Sequence, residues 1–136
     1  MRDGDRNVIN GKSLRPIEIQ EDYRYYIITS RRFDMGRLTF VFNQDRLRAE
    51  NKTESDLLYP MRVFAQQHGI QETNNGVFEL DGNNAFALLG GFVADITDED
   101  HSYVKFLDKW ELDVGGIVDD CIEDTLDWYK EEGIVV

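Results

Sequence analysis

Only one cysteine, Cys121, stands in the sequence, so no intramolecular disulfide can form. Its position on the apolar side of an expected helix is that of a buried, inert thiol rather than a nucleophile. Histidine is almost as scarce. His68 and His101 show no HExxH or other metal-ligand spacing. His68 precedes Gly69 at an expected helix end, where a cation complements the helix dipole, and His101 reads as a solvated surface group. Prolines number two, and no run approaches the roughly 18 apolar residues that cross a bilayer. The start, Met-Arg-Asp-Gly-Asp-Arg-Asn, has no apolar stretch behind it and is not a secretory signal. A soluble cytoplasmic protein without membrane contact is the expectation.

Chemistry-bearing motifs are missing as well. Gly90-Gly91 and Gly115-Gly116 lack the lysine of a P-loop and the third glycine of a dinucleotide fingerprint. Asp95, Asp98, Glu99 and Asp100 lack the alternating ligands and central glycine of a calcium loop. No Ser/His/Asp or Cys/His set stands out. No catalytic residue, metal site or cofactor is expected.

Basic residues are also lacking, but only in the last third. From Met1 to Ala94 there are 13 acidic and 12 basic residues; from Asp95 to Val136 there are 14 acidic residues against Lys105, Lys109 and Lys130. Nearly all of the net charge of −12 therefore lies after residue 94. Such asymmetry points to a charged partner.

The 136 residues, 41% apolar and 31% charged, suit one globular domain. Residues 1–15 are polar and aperiodic and read as a flexible arm before a single α+β domain over 16–136. Ile17–Ile19 could form a short edge strand. Tyr23–Ser30 is aromatic and β-branched, and Arg37–Asn43 alternates, with Leu38, Phe40 and Phe42 on one face. Together they predict an antiparallel hairpin joined by Arg31–Gly36. Gln44–Glu50 is helix-permissive. Thr53–Asp56 opens a helix carrying Leu57, Leu58, Met61, Phe64 and Ala65, with Pro60 at its start or at a kink and Gly69 at its end. Gly76–Leu80 is a strand candidate and Asp81–Asn84 a turn. Ala85–Leu89 leans to helix, capped by Asn84, with Ala85–Ile96 as a whole open between helix and strand.

From Asp98 onward the spacing predicts helices, the first with Tyr103, Phe106, Leu107 and Trp110 as its stripe. In the last, Val114, Ile117, Val118, Cys121, Ile122, Thr125, Trp128 and Tyr129 share one arc. The expected architecture is a small N-terminal antiparallel sheet packed on three or so helices, the last one acidic and amphipathic.

The opposite arc of that last helix gathers Asp119, Asp120, Glu123, Asp124, Asp127 and Glu131, interrupted only by Lys130, and the expected preceding helix adds Asp100, Asp108 and Glu111. Like charges four residues apart oppose a helix, and solvated faces usually alternate sign. A one-sided acidic row is suited to a basic, nucleic-acid-handling protein, by complementary charge or by imitating a nucleic-acid backbone, without nucleic acid being bound itself. In general character the chain is similar to acidic inhibitors such as immunity proteins against nuclease toxins and phage proteins that block defence enzymes. It carries no motif of a specific family, so no residue roles follow. Two other readings stay open. Arg24, Tyr26, Arg31 and Arg32 could hold a nucleotide or other phosphate compound by stacking and charge, and the chain could be an assembly component of a larger particle, its oligomeric state unspecified.

Overall fold

The computed structural model describes residues 35–136. The expectations for 1–15, for the edge strand at 17–19, for the strand at 23–30 and for Arg24, Tyr26, Arg31 and Arg32 lie outside the described residues. Within them the order is β1 (Met35–Phe42), α1 (Gln44–Ala49), α2 (Glu54–His68), β2 (Gln71–Asn74), β3 (Val77–Asp81), α3 (Ala85–Glu99), a 3-10 turn (Tyr103–Phe106), β4 (Leu107–Val114), β5 (Ile117–Asp120) and α4 (Cys121–Glu132). The fold class is α+β. One antiparallel sheet runs in the order β2-β3-β1-β4-β5.

The alternation in β1 sets the centre of the sheet. Leu38, Phe40 and Phe42 are buried, while Arg37 and Val41 point away from the core. Both edges of this strand are occupied, by β3 from Met35↔Asp81 to Thr39↔Val77 and by β4 from Gly36↔Val114 to Phe42↔Leu107. Its partners among the described residues are thus the later strands β3 and β4.

Local signals account for the first helices. Asn43 caps α1 by accepting from the Arg46 amide. Thr53 and Asp56 form a reciprocal capping box on α2, and Gly69 ends that helix at φ +69°. Pro60 lies inside α2 rather than at its start. The open segment resolves as helix throughout, running past Gly90-Gly91 to Glu99, though Asn84 makes no side-chain cap.

After Asp98 the chain departs from the expected run of helices. Asp98-Glu99 ends α3 instead of opening a new helix, Tyr103–Phe106 is one 3-10 turn, and Leu107–Val114 is a strand. Trp110, Leu112 and Val114 alternate into the core, with Trp110 opposite Phe40 and Leu112 opposite Leu38. Gly115 and Gly116, at φ +62° and +83°, make the two-residue hairpin turn to β5. Left-handed values at both turn positions match the strand twist and favour glycine. Only Cys121–Glu132 of the expected long final helix is helical.

The helices lie on one face of the sheet and share a single core with it. Phe40, Phe78, Trp110 and Tyr103 form its aromatic centre, with ring centroids 5.6–5.7 Å apart at each contact. The Tyr103 hydroxyl donates to the Leu57 carbonyl at 2.6 Å and the Tyr129 hydroxyl to the Thr97 carbonyl, tying distant segments together. Among the described residues no helix is long and apolar enough to cross a membrane.

Candidate functional site: the acidic carboxylates

The acids singled out by sequence do not share one helix face. Asp108 stands exposed near the start of β4 and accepts from the Asn43 amide at 3.0 Å. Glu111 is on the outer face of the sheet, 3.7 Å from Lys109. Across the β4–β5 pair it stands opposite Asp120, whereas Asp119 stands opposite Leu112. Glu123, Asp124, Asp127 and Glu131 are exposed on α4, and Glu132 at its end is exposed with them.

This placement changes the electrostatic argument. Asp120 is the cap of α4, its Oδ1 accepting from the amides of Ile122 and Glu123 at 3.0 and 3.1 Å. Glu123 and Asp124 occupy the first turn, where the helix dipole favours negative charge. Asp119–Glu123 and Asp120–Asp124 therefore are not repelling pairs inside a helix. Glu123–Asp127 and Asp127–Glu131 are, each opposing the helix by a few tenths of a kcal/mol. Local structure explains Asp120 and favours Glu123 and Asp124; it offers nothing for Asp127 and Glu131.

Several of the described cations are committed elsewhere. Arg37 pairs with Glu79 at 2.8 Å, Lys105 with Glu50 at 2.6 Å, and Arg48 with Asp45. Arg62 grips Glu72 through two nitrogens at 2.8 and 2.9 Å, and its guanidinium holds the Glu72 carboxyl below the usual carboxylate range. No ion pair among the described residues includes Glu123, Asp127 or Glu131. Lys130 sits in the last turn of α4, where a cation suits the dipole.

Apolar neighbours of these acids escaped the sequence reading. Leu126 is 44% exposed on α4, and with Ile122, Val104, Leu107 and Val136 it lines a groove rimmed by Arg46 and Lys105. Val118 is 53% exposed on β5. The signal for Leu126 was its exclusion from the apolar arc of its own helix. Val118 was hidden because that arc was drawn through a hairpin.

Other reactive groups are quiet. Cys121 is buried at the start of α4, and desolvation, reinforced by Asp124, Asp119 and Asp120, pushes its thiol up to about 12. A protonated thiol is a poor nucleophile. His68 packs on Phe64 at 4.3 Å and His101 on Tyr129 at 5.2 Å. Among the described residues no three His, Cys, Asp or Glu side chains come together to hold a metal. Compared with family models, curated proteins and solved structures, the chain matches none.

Proposed function

We propose that this chain is a non-catalytic cytoplasmic binding protein that neutralises a basic, nucleic-acid-handling protein by covering its charged surface. The observation that carries this reading is the row Glu123, Asp127 and Glu131, exposed along α4 and paired with no described cation. Lys130 interrupts the row without an ion pair to it among the described residues, and the summed negative charge offers a field to an incoming basic partner. Complementary charge of this kind raises association rates and rejects partners of the wrong sign. Leu126 beside the row provides an apolar contact that a purely electrostatic encounter would lack.

The test is affinity capture from host lysate with the native chain and with Glu123→Lys/Asp127→Lys/Glu131→Lys, washed at low and at high salt. A basic protein held by the native chain, weakened by salt and lost with the variant, supports the reading. Equal retention of that protein by both chains sinks it. Asp120 is left intact in the variant because its loss would uncap the helix.

A further inference from the structure

The outer face of the sheet has no described helix over it. Antiparallel sheets covered on one side ordinarily alternate apolar-in and polar-out. Here several outward positions are apolar: Met35, Val41 and Val118 are 42%, 43% and 53% exposed, and Val77 is half-buried. The strand register sets them among charges. One row across the sheet reads Glu79, Arg37, Asp113, Val118, and the next reads Val77, Thr39, Glu111, Asp120. Arg37 is engaged by Glu79, and Lys109 stands near Glu111. Asp113 and Asp120 each use Oδ1 to accept main-chain amides, from Gly116 and from Ile122 and Glu123. The face is therefore acidic on balance, with valines between its carboxylates.

We infer that the outer face of β1, β4 and β5 is a docking surface for a basic protein whose cations are interspersed with apolar side chains. This rests on the acidic-binding reading above and extends it to a second surface. Asp120 joins the two, since it faces Glu111 on the sheet and opens α4. A second copy of this chain fits poorly. It would set one acidic face on another, in a molecule of net charge −12. A basic partner reverses that sign, and its apolar side chains would cover Val41 and Val118.

The test is an amide-shift titration of the full chain with the capped peptide Arg-Val-Arg-Val-Arg-Val, repeated on Val41→Ser/Val118→Ser. Those exposed substitutions keep the charge, and the amide spectrum itself reports whether the fold is retained. Expected are shifts at Thr39, Val41, Glu111 and Val118, and about a tenfold loss of affinity in the double variant, which is about 1.4 kcal/mol. Shifts confined to α4, with the double variant binding equally, overturn the sheet surface and leave the acidic-helix reading standing. No shifts on either surface overturn both.

Discussion

Glu111 on β4 and Asp120 on β5 stand directly opposite each other across the strand pair, two carboxylates where an ion pair would be expected. Like charges in this position oppose the sheet. Lys109, 3.7 Å from Glu111, relieves part of the repulsion, and the cap bonds of Asp120 hold the other side in place. The acidic surface is thus part structure and part excess charge, and substitutions can separate the two.

Asp120→Ala removes the α4 cap and should lower stability by about 0.5–2 kcal/mol. Glu131→Gln, at an exposed carboxylate with no described ion pair, should stay within about 0.5 kcal/mol of the native chain. Urea midpoints at constant slope measure both. Equal effects would mean that Asp120 does not cap the helix.

Two glycines predict opposite outcomes. A Cβ at Gly36 would lie 2.6 Å from the Ala85 Cβ and 3.1 Å from the Leu89 Cδ1, where α3 crosses the sheet. Gly36→Ala should cost about 1–3 kcal/mol through this overlap. At Gly91 no heavy atom beyond the adjoining backbone of its own helix lies within 4 Å of the added carbon, and the residue is helical. Gly91→Ala should stabilise by roughly 1 kcal/mol, a rise in melting temperature that calorimetry would resolve.

The Cys121 thiol makes stability fall at high pH. Its ordinary value is 9.0, and burial moves it to about 12 in the folded chain. The unfolded thiol ionises first, so its contribution is intact below about 9 and is lost as pH climbs towards about 12. Cys121→Ala should flatten the decline in that window relative to the native chain, measured by urea unfolding across pH. An unchanged slope would show that the thiol titrates normally in the fold.

Much of the first half was legible because each element carried its own signal. Leu38, Phe40 and Phe42 alternate, Thr53 and Asp56 cap, and Gly69 stops a helix in a left-handed conformation that glycine adopts without strain. The second half misled for a geometric reason. Val114, Ile117, Val118 and Cys121 are spaced as on a helix only because a two-residue turn separates two alternating strands. Trp110, Leu112 and Val114 held the contrary period of two, and Gly115-Gly116 held the turn. Exposure of the acids on α4 followed from pattern alone. Their division between strand, cap and helix did not, because it depends on where the hairpin ends.

Glu123, Asp127 and Glu131 are proposed above as a surface for a basic protein. The most direct test is the dissociation constant of the captured partner over a series of salt concentrations, for the native chain and for Glu123→Lys/Asp127→Lys/Glu131→Lys. Native affinity should fall steadily with salt, and the variant should be at least about tenfold weaker at low salt, a loss of about 1.4 kcal/mol. Affinity that ignores salt and is the same in both chains would contradict the proposal.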